Sequence, residues 1–307
     1  MLDTRGVLAQ RFRFAALALL AGAFVCVAQP APSWPSAVAA AARLAPQARI
    51  VVLDVASGRL LAASHLHEAA RTLAAPGSTL KPLALYGLIE AGRWDPSRRI
   101  ACTRDLHIAR RSLNCSHPPA DPMDARQALA WSCNTYFATV ARTLAPGELR
   151  RLLAPSGLLG QTGLAPAEAT ADFRDPRTAD ESSLTLLGVD GIRVTPLELA
   201  AAYRWLALEL GTHPNSAAAQ VVHDGLDASA DFGIAASASQ GGVAVAGKTG
   251  TANIGPGTPS HGWFAGLVPA NHPTAVVVVY LPAGHGANAA QVAAALLAHS
   301  PLRQPQP

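Results

Sequence analysis

The chain has 307 residues, enough for one large domain or two intergrown lobes around a sizeable core. Its formal charge is only +4, and no basic run interleaves with aromatics, which argues against a nucleic-acid-binding surface. Aromatics are scarce and alanine is abundant, so close-packed helices are expected rather than a β-sandwich.

Taken from the N-terminus, Arg5, Arg11 and Arg13 precede an apolar run from Phe14 to Ala28. Cys26 and Ala28 occupy small-residue positions before Gln29, so residues 1–28 read as an export signal, with a short uncleaved anchor as the alternative. The run falls short of the roughly 20 residues that a membrane span needs. Bulky Val25 speaks against a lipoprotein cysteine at Cys26. An exported protein is expected, periplasmic or extracytoplasmic, either free or tethered to the inner membrane. In such a compartment disulfides persist, and Cys102 and Cys115, which flank a short Arg-rich stretch, are expected to be bridged. That bridge would be worth about 3 kcal/mol. Cys133 is expected as a small buried filler. No CxxC pair, HExxH helix or His/Cys cluster at familiar metal spacing is visible, so no metal and no cofactor are expected.

Residues 29–47 read as a linker with a helix from Ser36 to Leu44. The apolar runs Ile50–Leu53 and Leu60–Ala62 around a Gly-containing turn predict a β-hairpin. A helix is predicted from about Thr79 to Ala91, with Gly92 at its C-terminal cap. Asp124 and Gln127 form a capping box that opens a helix reaching Trp131. After a break at Ser132-Cys133-Asn134, a second helix runs from Thr135 to Leu144. The Gly-, Pro- and Asp-rich stretch from Pro155 to Asp180 suggests long loops, and a helix from Leu197 to Leu208 starts at Thr195-Pro196. Val243–Ala246, Trp263–Val268 and Ala275–Tyr280 read as strands. An alanine-rich helix covers Ala287 to His299, and residues 300–307 read as a disordered tail. An early hairpin and three late strands predict an α+β fold, with one antiparallel five-stranded sheet built from both chain ends. Helices flank the sheet, a helical lobe is inserted between its halves, and a cleft is expected where sheet and lobe meet.

Two lysines stand among the 24 basic residues, and each lies in a string that suits catalysis. Ser78 and Lys81, three apart at a helix start, share one face, and a neutral lysine can deprotonate a serine. A buried lysine can be tuned into such a base, whereas arginine stays charged. Ser132 and Asn134 offer a hydroxyl and a carboxamide for a proton network, or else simply cap a helix. Lys248, Thr249, Gly250 and Thr251 offer a cation and hydroxyls that suit a carboxylate, with a glycine that admits a ligand backbone. The backbone N–H groups of Ser78 and Thr251 would serve as an oxyanion hole. His261 reads as a structural or solvated histidine near this third string. Trp263 and Phe264 read as sheet-core residues.

Together, S-x-x-K, S-x-N and K-T-G in this order resemble the penicillin-binding proteins. The strings PGSTLKP at 76–82, SCNTYF at 132–137, VTPLELAAAY at 194–203, GKTGTA at 247–252 and HGWFAGLVP at 261–269 are most similar to the class B transpeptidase module, over residues 48–299. The resemblance implies a D,D-transpeptidase or D,D-carboxypeptidase that acts on peptidoglycan stem peptides ending in D-Ala-D-Ala through a serine acyl-enzyme. Ser78 would be the nucleophile and Lys81 its base, with Ser132 and Asn134 completing the network. Lys248, Thr249 and Thr251 would hold the terminal carboxylate. β-Lactam antibiotics are implied as ligands, with a glycosyltransferase or other cell-wall synthesis proteins as partners. Two departures from the class B pattern stand out: little chain precedes the first strand where a pedestal module is usual, and the segment from Asn134 to Lys248 is short. The alternatives are a serine β-lactamase on the same fold and a non-catalytic β-lactam sensor or scaffold. A class A Glu-x-x-Asn string is missing between Asn134 and Lys248, and Asn134 stands where the class D type has an apolar residue.

Overall fold

The computed structural model describes residues 31–253 and 258–303. The expected signal segment and the last four residues of the chain lie outside them. Ser33 caps α1 (Trp34–Leu44) in a reciprocal box with Ser36, so the helix starts two residues before the expected Ser36. The predicted hairpin forms as β1 (Arg49–Asp54) and β2 (Leu60–Ser64). Asp54 Oδ1 accepts from the Ser57 N–H and hydroxyl at 2.7 and 2.6 Å and so holds the turn.

The short helix α2 (Leu66–Ala69) leads to a 3-10 turn at Gly77–Leu80, which runs directly into α3 (Lys81–Glu90). A small ribbon of β3 (His107–Ile108) and β4 (Arg111–Ser112) precedes α4 (Ala125–Ala130), whose Asp124–Gln127 capping box forms as predicted. The lobe continues through α5 (Asn134–Ala141) and α6 (Glu148–Leu153). The pair β5 (Asp172–Phe173) and β6 (Ile192–Arg193) then brackets α7 (Ala179–Leu186). A Thr195–Glu198 box starts α8 (Pro196–Thr212), and Ser216 caps α9 (Ala217–Asp231). The sequence reading did not anticipate α9. Half of its buried residues are alanine, and Gly225 lets it approach α4 so closely that a Cβ there would meet Leu129.

The last three strands are β7 (Ala246–Ala252), β8 (His261–Val268) and β9 (Ala275–Leu281), followed by α10 (Gly286–Leu297). All five long strands form one antiparallel sheet in the order β2-β1-β9-β8-β7, as expected from the two chain ends. One expectation shifts. Val243 and Val245 are buried but precede the ladder, and β7 is instead the Lys248–Thr251 string itself. The polar residues looked like a strand end, because a strand that borders a cleft need not carry an apolar pattern.

Both faces of the sheet are covered, which is why β9 reads as an unbroken apolar run. Val276, Val278 and Tyr280 join a core with α3, α5 and α8. Val277 and Val279 join a second core with α1 and α10. The two cores share the sheet, so the start of α3 is fixed against the edge formed by β7. Gly188 reinforces that contact: its carbonyl accepts the Gly77 N–H at 2.8 Å, at φ +70°. A Cβ on Gly188 would overlap the Gly77 carbonyl oxygen. A Gly188→Ala substitution is therefore expected to cost about 2 kcal/mol and to displace the Gly77–Leu80 turn. Thermal unfolding checks the first effect, and faster hydrogen exchange at the Gly77 amide checks the second.

Candidate active site

Four hydrogen bonds pin the segment around Ser78. Trp263 Nε1 donates to Ala75 O (2.9 Å), Thr79 Oγ1 to Pro76 O (2.8 Å), Tyr203 Oη to Thr79 O (2.9 Å) and the Gly77 N–H to Gly188 O (2.8 Å). Ser78 is half-buried, and among the described residues its hydroxyl makes no hydrogen bond. It stands three residues before Lys81, the first residue of α3, so both side chains leave the same side of the turn.

Lys81 is fully buried. Its Nζ donates to Ser132 O (2.9 Å), Ser132 Oγ (3.1 Å) and Asn134 Oδ1 (2.7 Å), and lies 5.0 Å from the centre of the Phe137 ring. Burial pulls its pKa down to about 7, with Cys133 and Cys115 acting weakly in the opposite sense. Near neutrality the amine therefore exists in both forms. Once neutral it keeps two N–H donors for Ser132 O and Asn134 Oδ1, and its lone pair can accept from a hydroxyl.

The turn that holds this amine precedes a helix, but neither Ser132 nor Asn134 is the residue that caps it. Asn134 is the first residue of α5, and Cys133 precedes it without any side-chain capping bond. Ser132 adopts φ 56°, a left-handed conformation that costs a non-glycine residue energy and tends to persist at functional sites. Asn134 spends one amide proton on Leu113 O (3.0 Å).

Lys248 and Gly250 share the β7 face turned towards the Ser78 turn. A Cβ on Gly250 would overlap Pro76 O, and one on Gly77 would lie 2.8 Å from Thr251 N. The Thr251 backbone therefore borders Ser78. Thr249 and Thr251 point towards the start of α10. Thr249 is buried, whereas Thr251 is exposed and its hydroxyl accepts the Gly286 N–H at 2.9 Å. Lys248 is fully buried and donates to Thr249 O (3.1 Å). Burial, then repulsion from Lys81, push its ammonium well below its ordinary pKa. Both lysines are thus pulled towards neutrality, where the sequence had suggested that only Lys81 gives up its charge.

The expected Cys102–Cys115 bridge is corrected, because both residues carry free thiols. Cys115 Sγ is turned towards Cys133 Sγ (3.9 Å), while Cys102 Sγ faces His117 Nε2 (3.4 Å). The expectation of no metal-type cluster is also revised, since the ligating atoms of Cys102, Cys115, His117 and Cys133 lie within 4.8 Å of one another. His261 is held by Tyr280, whose Oη lies 2.9 Å from its Nδ1. It also lines a cavity of about 460 Å³ beside Ala74 and Ala75 that Arg111, Arg174 and Arg193 border, residues for which the sequence offered no motif. A cavity of about 510 Å³ near Tyr86 and Trp205 contains none of the motif residues.

A Ser-x-x-Lys turn facing an edge strand, on a sheet drawn from both ends of the chain, defines the transpeptidase fold. Residues 48–299 match the penicillin binding protein transpeptidase domain, and the chain belongs to that family. Among solved structures it is similar to a peptidoglycan glycosyltransferase from Burkholderia ambifaria (21% identity, TM-score 0.73, 86% of this chain and 92% of that one). It is also similar to the transpeptidase domain of Burkholderia pseudomallei penicillin-binding protein 3 (20% identity, TM-score 0.74, 87% and 95%). A chain from a peptidoglycan synthase complex that coordinates polymerization and crosslinking matches at 22% identity and TM-score 0.68, over 87% of this chain and 59% of that one. At these identities the likeness is one of fold.

Two outcomes follow from the lysines. If neutral Lys81 is the base, acylation by penicillin climbs as pH rises through about 7 and falls roughly tenfold per unit below it, measured by stopped-flow labelling. Because Lys248 has no solvent-facing room, Lys248→Arg is expected to lower stability by about 1–3 kcal/mol and to slow acylation with it. Denaturant unfolding and labelling of the same sample check both effects.

Proposed function

We propose that this protein is a serine D,D-transpeptidase or D,D-carboxypeptidase acting on peptidoglycan stem peptides that end in D-Ala-D-Ala, and that β-lactams acylate it. The observation that carries the proposal is Lys81: a fully buried amine with lowered basicity, three residues from an unengaged serine.

In the proposed reaction Ser78 Oγ bonds to the carbonyl carbon of the penultimate D-Ala as its proton passes to Lys81 Nζ. The oxyanion is stabilised by the N–H groups of Ser78 and Thr251, which the close contact of Gly77 with Thr251 brings near each other. Ser132 Oγ, within hydrogen-bond reach of Lys81, relays the proton to the leaving amine, the C–N bond breaks and D-Ala departs. An acceptor amine, or water, then bonds to the ester carbon, the bond from that carbon to Ser78 Oγ breaks, and the proton of the acceptor returns through Ser132 and Lys81 to Ser78 Oγ. One Asn134 amide proton remains for a substrate carbonyl. Lys248 and exposed Thr251 are the groups proposed to hold the terminal carboxylate, with buried Thr249 behind them. The outer edge of β7 pairs with no described strand, which suits an extended peptide laid alongside it. The N-terminal segment supports export to the compartment where peptidoglycan lies, and a glycosyltransferase is the partner that the reaction would serve.

A fluorescent penicillin is expected to give a persistent adduct on the full chain and none on Ser78→Ala. Labelling of Ser78→Ala would overturn the nucleophile assignment, and rapid turnover of the adduct would identify a β-lactamase instead. Mass spectrometry of a D-Ala-D-Ala pentapeptide, with and without an amine acceptor, separates transfer from hydrolysis. Release of no D-Ala under either condition would overturn the catalytic proposal.

A further inference from the structure

We propose that Cys102, Cys115, His117 and Cys133 form a tetrahedral zinc site that holds the Ser132–Asn134 turn from behind. Three sulfurs and one imidazole nitrogen are the donor set that zinc favours in closed, structural sites. Zn–S bonds of about 2.3 Å and a Zn–N bond of about 2.0 Å imply S···S edges of about 3.8 Å and S···N edges of about 3.5 Å. The Cys115–Cys133 and Cys102–His117 separations are 3.9 and 3.4 Å, and all four atoms lie within 4.8 Å. A disulfide instead requires sulfurs about 2.05 Å apart, so joining any pair asks for a larger movement and abandons the third thiol and the imidazole.

The surroundings are those of a metal site. His117 Nδ1 lies 2.7 Å from Pro118 O, and since a carbonyl only accepts, Nδ1 carries the proton and Nε2 turns its lone pair to the sulfurs. Backbone N–H groups donate to two of the thiols, Asn134 to Cys115 Sγ (3.2 Å) and Arg104 to Cys102 Sγ (3.4 Å), as they do to metal-bound thiolates. Cys115, His117 and Cys133 are buried, and Cys102 is half-buried, which leaves a path for the ion. Zinc binding releases the thiol protons to solvent and leaves the metal redox state unchanged.

The consequence for the turn is mechanical. Cys133 lies between Ser132 and Asn134, whose oxygens hold Lys81, while Cys115 also receives the Asn134 N–H. A metal bound there would tie the loop that carries Cys102, Cys115 and His117 to the turn that sets the position of Lys81. The four residues thus act as positioning residues for the active site, not as groups that touch substrate.

The test uses full-length protein purified with thiols reduced, loaded with zinc, desalted and analysed by elemental mass spectrometry. About one equivalent of retained zinc is expected, with Cys102, Cys115 and Cys133 protected from alkylation until a chelator is added. Cobalt loading should produce thiolate charge-transfer and tetrahedral d–d bands. Cys102→Ser and His117→Gln should each weaken zinc retention more than roughly tenfold. Chelation should slow penicillin acylation, and restoring zinc should recover it. Zinc retention well below one equivalent with all three thiols free, or a persistent disulfide among them, would overturn the proposal. Metal content is read without any turnover, so failure of the site and failure of the transpeptidase proposal remain distinguishable.

Discussion

Lys81 carries its amine where water does not reach, and each hydrogen bond that the amine makes ends on the Ser132–Asn134 turn. Desolvating an ammonium is costly unless oxygens surround it, so α3 and the α4–α5 junction cannot move independently. The same helix start carries Ser78, and that segment is tied to the sheet through Trp263 and to α8 through Tyr203. One buried amine therefore links the helical lobe to the sheet edge at the point where Ser78 stands. Stability and chemistry share those contacts, so a shift in any of these three elements is felt at Ser78.

The turn itself has two working faces. Ser132 and Asn134 direct oxygens to Lys81, while Cys133 points the opposite way, towards Cys115. This division explains the left-handed backbone at Ser132, which turns its carbonyl and hydroxyl to the same amine. Such a conformation persists only when its surroundings over-determine it. The oxygen–amine contacts do so from the cleft side. A metal on the sulfur side would do so from behind, with ligands drawn from a loop that otherwise has little regular structure.

Much of this architecture was legible from the sequence because it is locally encoded. The Asp124–Gln127 and Thr195–Pro196 signals start helices where they should, and the hairpin, β8 and β9 follow apolar runs bounded by turn residues. Ser78, Lys81, Ser132 and Asn134 were found as strings, and the fold joins Lys81, Ser132 and Asn134 through one amine, with Ser78 on the turn that leads into Lys81. What escaped depends on tertiary contact. Helix α9 buries alanines, whose small apolar signal marks no face clearly. Strand β7 was hidden by its own polar residues, and which way Thr249 and Thr251 point depends on where α10 begins. The sulfur cluster draws its members from separate segments, so no short motif announces it. Of the three described cysteines, the pair nearest in sequence, Cys102 and Cys115, looked like a disulfide, yet Cys133 at the start of α5 and His117 of the same loop join them in one cluster.

The rarity of lysine in this chain acquires a second explanation from electrostatics. At position 81 the proposed reaction needs a base, which arginine cannot be. At position 248, by contrast, the sequence alone favours lysine only by size and fit, since a cation beside a carboxylate need not lose its proton. Yet Lys248 is fully buried, near enough to Lys81 to be discouraged from charging, and donates only to Thr249 O among the described residues. An arginine there would stay charged whether or not an anion was bound, and its buried guanidinium would pay full desolvation without a partner. A lysine, whose burial already disfavours its charged form, can instead take up a proton as the proposed carboxylate binds.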